Sequence, residues 1–108
     1  MYIINIQLAI LVREMRKERG WTQEELANKS KCHRTYICMV ERARKNATLG
    51  MIYKIASAFE IDSNFFLRKL ASTKINIVTL RQAGLSSPEY INTYRNQWDD
   101  YSRYSRIY

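Results

Sequence analysis

The chain is 108 residues long and 46% hydrophobic, enough apolar material for one domain with a modest core and too much for a disordered polymer. Its 18 Lys and Arg against 10 Asp and Glu leave a formal charge of +8, a balance that favours an anionic partner such as nucleic acid, a membrane surface or an acidic protein. The single histidine, His33, and two cysteines six residues apart, Cys32 and Cys38, lack the spacing of a zinc site, so no metal and no cofactor are expected.

The apolar start of the chain meets Arg13 too soon to span a bilayer. It also lacks a basic leader and a small-residue cleavage site. No membrane association and a cytoplasmic location are therefore expected, with Cys32 and Cys38 as free thiols in a reducing compartment.

The first helix is predicted from about Ile6 to Arg19, with Leu8, Leu11, Val12 and Met15 at helical spacing. Asn5 is its expected cap and Gly20 its left-handed closure, followed by Trp21 as a plug between helices. Thr22 opens the second helix, and Thr22 with Glu25 reads as a capping box. Leu26 and Ala27 are expected to face inward. Ser30, Lys31 and Cys32 make a turn, and a third helix spans about His33 to Arg42 with Ile37 and Val40 toward the core. A basic loop covers residues 43–47.

Thr48 caps a fourth helix ending near Phe59, with Leu49, Ile52, Ile55, Ala56 and Phe59 as its apolar stripe. Asp62 or Ser63 caps a fifth, whose apolar residues are Phe65, Phe66, Leu67 and Leu70. The β-branched run at 74–80 fits a short strand or the start of a helix equally. Ser87-Pro88-Glu89 is a helix start, with a cap, then proline at the first helical position, then an acid against the helix dipole. From there a helix is predicted over 88–104, with Ile91, Tyr94, Trp98 and Tyr101 as an aromatic seam. Residues 1–72 are thus expected to form an all-α domain of five helices, and 73–108 an extension with an extra helix used for packing or dimerisation.

The most informative stretch is residues 20–46. It reads as two short helices joined by a tight turn, the second studded with side chains suited to base edges and phosphates. Residues 29–45 hold six basic groups and one acid, whereas residues 71–108 hold five basic and three acidic groups. The positive excess therefore sits on the second of these helices and the loop after it. No metal cluster, phosphate loop or nucleophile–base set is visible, so an enzyme is not expected.

The stretches REMRKERGWTQEELANKS, HRTYI and ERARKNATL resemble the phage-repressor-like (XRE-type) helix-turn-helix family, over residues 8–70, and within it the controller proteins of restriction–modification systems. The resemblance implies base reading by Arg34 and Thr35, with Cys38 and Met39 further along the same helix touching base edges through apolar contact. It implies phosphate contacts from Gln23, Tyr36, Arg44, Lys45 and Asn46, and a structural ion pair between Arg16 and Glu41. The fourth and fifth helices, with Phe65, Phe66 and Leu70, are the expected dimer face, because one reading helix covers too few base pairs to define a site alone. Double-stranded DNA with a near-palindromic operator, a second copy of the chain and RNA polymerase are the implied partners. A phage repressor or antitoxin-type regulator stands as the alternative within the class, and a protein-interaction module that no longer binds DNA as the alternative outside it.

The sequence departs from the family pattern at Lys31 and Ala43, where glycine is common, at Ala47, where proline is common, and at Cys38-Met39, where a Ser-Gly pair is typical. Lys31 is expected to require a positive φ.

Overall fold

Two apolar faces on a single helix organise the chain. In the computed structural model, which describes residues 2–93 and 95, six helices follow in order: α1 (Ile3–Glu18), α2 (Gln23–Ser30), α3 (Arg34–Glu41), α4 (Leu49–Ala58), α5 (Ser63–Ala71) and α6 (Ile77–Gln82). Residues 88–93 and 95 are helical again, and no strand occurs among the described residues. The fold class is all-α, as expected. The rest of the helix anticipated over 88–104, including Tyr94, Trp98 and Tyr101, lies outside the described residues.

One face of α1 carries Leu8, Leu11, Val12 and Met15 into the main core, where they meet Leu26, Ile37, Val40, Ile55, Phe59, Phe66 and Leu70. Its other face carries Ile6, Ala9 and Ile10 into a second core with Ala43, Leu80, Ala83, Leu85 and Tyr90. A helix apolar on both sides must be covered on both sides. Helices α2 to α5 provide one cover and the extension provides the other. Burying Leu80 and Leu85, which are almost wholly covered, is worth about 1.5–3 kcal/mol each relative to leaving them in water.

The second face also moves the start of α1. The helix begins at Ile3 rather than near Ile6, because burial of Ile3 and Ile6 stabilises an extra turn. Tyr2 holds the capping position without a side-chain bond, and Asn5 is a buried residue inside the helix, not its cap. Its amide serves a distant loop instead. Asn5 Nδ2 donates to Asn46 Oδ1 at 3.1 Å, and Asn5 Oδ1 accepts the Ala47 N–H at 2.8 Å.

Helix starts follow local chemistry. The Thr22, Thr48 and Asp62 side chains accept the backbone N–H groups of Glu25, Met51 and Asn64. At Thr22 the hydroxyl also donates to Glu25 Oε1 at 3.4 Å, side chain to side chain. The ambiguous run at 74–80 holds the start of a helix at Ile77, because Asn76 and Thr79 form a reciprocal capping box, each bond 2.9 Å, and Leu80 is buried. On α4, Leu49 is exposed and Met51 takes its place in the core. On α5, Phe66 and Leu70 are 0% and 1% exposed and belong to the main core, so they are not surface residues of a dimer face; Phe65, 45% exposed, stands outside it.

Five of the six helix ends from α1 to α6 share one closure, α5 being the exception. Gly20, Lys31, Ala43, Glu60 and Gly84 follow α1, α2, α3, α4 and α6 with φ between 57° and 73°. In each case the next N–H reaches five residues back: Trp21 to Arg16, Cys32 to Ala27, Arg44 to Met39, Ile61 to Ala56 and Leu85 to Leu80, at 2.7–3.1 Å. Only two of the five positions are glycine. A Cβ in this conformation costs about 1 kcal/mol, and the closure persists at the other three because the flanking helices are fixed by the core. Lys31→Gly and Glu60→Gly, both at exposed positions, are each expected to raise the unfolding free energy by about 0.5–1 kcal/mol, read as a higher urea midpoint with an unchanged slope. A loss of stability would show that the turn is not strained.

Candidate nucleic-acid interface

Helix α3 divides by face. Ile37 and Val40 enter the main core, and Glu41 is 1% exposed. Arg34 and Thr35, in the first turn, are exposed, while Cys38 and Met39 are half-buried on the outward side. A helix inserted end-first into the major groove reads bases with its N-terminal residues, and here that end is open.

A buried carboxylate fixes how α3 is held. Glu41 Oε2 accepts from Arg16 Nε at 2.7 Å and Oε1 from Arg16 Nη2 at 2.9 Å. The remaining Arg16 nitrogen, Nη1, donates to the Trp21 carbonyl at 2.8 Å. Gln23 Nε2 adds a third donor to Glu41, at 3.3 Å on Oε1. One acid on α3 is thus tied to α1 and to the first residue of α2. Arg16 and Glu41 form the pair that the resemblance implies. Gln23, assigned to phosphate, spends one of its amide hydrogens on this network and keeps the other.

Trp21 seals the same corner. Its ring stacks on Phe59 with centroids 5.2 Å apart, and the Arg19 guanidinium lies 5.3 Å from the Trp21 ring centroid. Lys29 covers Trp21 at 4.8 Å.

The residues assigned to phosphate on α3 and in the loop after it are held individually. Tyr36 is half-buried against the main core, and burial, then the neighbouring Cys32, pushes its phenol above the ordinary value. The Lys45 ammonium sits 5.8 Å from the Tyr36 ring centroid. Asn46 accepts from Asn5, and through Asn5 the loop 43–47 is anchored to α1. Arg44 points to the extension, where its two terminal nitrogens reach Glu89 Oε1 and Oε2 at 2.6 and 2.8 Å. The guanidinium also lies 5.7 Å from the Tyr90 ring centroid. The hydrogen bond to Glu89 is the main cause holding Arg44 above its ordinary pKa. Tyr90 in turn donates its hydroxyl to the Arg42 carbonyl at 2.8 Å, at the C-terminal end of α3.

The extension therefore borders the outward face of α3, which the sequence does not announce. A groove is lined by Arg34, Thr35, Cys38 and Met39 together with Gly84, Leu85 and Ser87. Arg13 joins it from α1, donating from Nη1 to the Ala83 carbonyl at 3.1 Å. The side chains of Arg34 and Thr35 stay exposed within this arrangement. Cys32 and Cys38 are free thiols, and no group of His, Cys, Asp or Glu able to hold a metal occurs among the described residues. No helix there is long and apolar enough to cross a membrane.

A family model described as "Helix-turn-helix" matches residues 12–66. A "hypothetical transcription factor" of Neisseria meningitidis is 44% identical over 54 residues, which is 50% of this chain and 51% of that protein. The "control protein C.SmaI" of Serratia marcescens is 45% identical over 51 residues, 47% of this chain and 61% of that one. The chain thus spans about half to three-fifths of the length of these relatives. Among solved structures, the restriction–modification controller protein C.Esp1396I superposes with a TM-score of 0.63 at 29% identity, covering 70% of this chain and all of that one.

Breaking the buried pair is expected to be costly, because the surviving charge would be left uncompensated. Glu41→Ala should lower the unfolding free energy by about 3–5 kcal/mol and Arg16→Ala by a similar amount. In urea denaturation the double variant should lose far less than the sum; additive losses would mean that the two residues act independently.

Proposed function

The chain belongs to the helix-turn-helix family, and on that premise we propose that it is a sequence-specific DNA-binding transcriptional regulator, the controller of a restriction–modification system. The observation that carries the reading is the first turn of α3. Arg34 and Thr35 are exposed there, on a helix whose inner face is buried and whose last residue is tied to two other helices. An arginine so placed can take O6 and N7 of a guanine in a fork, and a threonine can meet a thymine methyl group. Cys38 and Met39 extend the apolar contact along the helix. Gln23, Tyr36, Lys45 and Asn46, with Arg44, flank this face with phosphate-directed groups.

Two copies are needed for a defined site, since one reading helix spans only about four or five base pairs. The dimer presents two α3 helices about 34 Å apart to a near-palindromic operator on one face of the duplex. Its contact lies on the outer side of α4 and α5, where Leu49, Tyr53 and Phe65 are exposed. The unit over residues 1–72 does the reading, and the extension from residue 73 acts on the rim of its groove. The regulator works in the cytoplasm, has no catalytic role, and acts on its own gene and the endonuclease gene through RNA polymerase.

Arg34→Ala is expected to cost about 1–3 kcal/mol on the preferred duplex and to relax base choice at one position in each half-site. Lys45→Ala should weaken all duplexes about equally and reduce the salt slope by roughly one unit. Both are read by titrating the DNA upstream of the chain's own gene against a random duplex at several salt concentrations. An Arg34→Ala variant that keeps full affinity and full base choice would overturn the assignment of the reading residue.

A further inference from the structure

Arg44 occupies an unusual position for a residue meant to hold a phosphate, because its fork is already filled. Both terminal nitrogens meet both oxygens of one carboxylate, the parallel two-bond geometry in which guanidinium also binds phosphate. The carboxylate is held in place by more than its charge. Glu89 follows Pro88 in the first turn of the helix that starts there, and its neighbour Tyr90 is buried in the second core, with its hydroxyl on the Arg42 carbonyl. Arg44 itself is aimed by the left-handed residue Ala43 and by its own N–H on the Met39 carbonyl at 2.8 Å. Arg44 lines the groove and both partners are about half exposed, so a duplex backbone can reach the pair.

We propose that Glu89 is a built-in phosphate surrogate that occupies Arg44 in the free protein and raises the threshold for engaging DNA. The inference rests on the DNA-binding reading above. A duplex phosphate must displace Glu89 from the guanidinium and leave a carboxylate beside the nucleic-acid backbone. That penalty falls on every encounter, whatever its sequence. Contacts made through phosphates alone are weakened by it, whereas an encounter that also satisfies Arg34 and Thr35 gains base contacts that offset it. Glu89 thus sets an affinity threshold from the extension: it weakens preferred and random duplexes alike, so that only an encounter with base contacts added to phosphate contacts holds the protein.

The test uses the full chain and a 30-base-pair duplex of random sequence as probe, with affinity measured at 50 and at 300 mM salt. Glu89→Gln keeps the side-chain shape and removes the charge. It should bind the probe about three- to tenfold more tightly at 50 mM salt, with the gap closing at 300 mM and the salt slope steeper by up to about one unit. Glu18→Gln, an exposed acid at the end of α1, controls for the loss of one negative charge. In an Arg44→Ala background the gain from Glu89→Gln should fall to the level of that control. A gain that equals the Glu18→Gln control, or one that survives Arg44→Ala, overturns the proposal while leaving the DNA-binding reading intact. If neither the original chain nor Glu89→Gln retains the duplex at 50 mM salt, the DNA-binding reading fails and the proposal falls with it. Thermal melting of each variant shows that the comparison is between folded proteins.

Discussion

A single buried carboxylate, Glu41, sets the geometry on which the rest of the molecule depends. It sits at the end of α3 with almost no access to water, where an unpaired charge would cost several kcal/mol. Three donors answer it, two from Arg16 on α1 and one from Gln23 at the start of α2. The apolar contacts of Ile37 and Val40 glue α3 to the core, but apolar contact is non-directional and tolerates rotation and sliding. Hydrogen bonds to a fixed carboxylate do not. The pair therefore contributes orientation more than net stability: it holds α3 so that Arg34 and Thr35 face outward together.

Helix α1 extends the same logic along its length. Its polar residues among the apolar ones each reach a backbone or side-chain group elsewhere. Asn5 holds the loop at Asn46 and Ala47, Gln7 donates to the Thr73 carbonyl at 3.1 Å, Arg13 takes the Ala83 carbonyl, and Arg16 takes Glu41. A buried polar group is costly to leave unpaired, so each of these bonds dictates what lies beside the helix, although Arg13 Nε is itself buried without a partner. α1 consequently fixes helices α2 to α5 on one face and the extension on the other. The groove beside α3 is the result, with the extension as its far rim.

How much of this was legible in the sequence depends on the range of the interaction. Helix caps and closures are local, so Thr22, Thr48, Asp62 and Gly20 could be read directly. The left-handed turn at Lys31 and the Arg16–Glu41 pair came from family resemblance, since nothing nearby in the chain demands them. Asn5 misled because an asparagine before an apolar run looks like a cap, and only the fold shows that Ile3 upstream is buried. The run at 74–80 was ambiguous because β-branched residues favour strands, while Asn76 and Thr79 carried an unrecognised capping signal. On α5, adjacent phenylalanines differ in fate: helical geometry separates Phe65 from Phe66 by about 100°, and the packing partner decides which is buried. The Arg44–Glu89 contact joins residues 45 apart with no local signature, and the resemblance points Arg44 to a phosphate, not to a carboxylate of the same chain.

On the proposed reading, α3 is a braced rod whose first turn is offered to base edges while its far end is tied to the rest of the chain. Methylation interference tests it most directly. Duplexes selected from a random pool by the original chain, then sparsely methylated at guanine N7, should lose binding when one guanine in each half-site carries the methyl group. The same duplexes should show no such interference at that guanine with Arg34→Ala. Equal interference for both proteins, or none for either, would contradict the account.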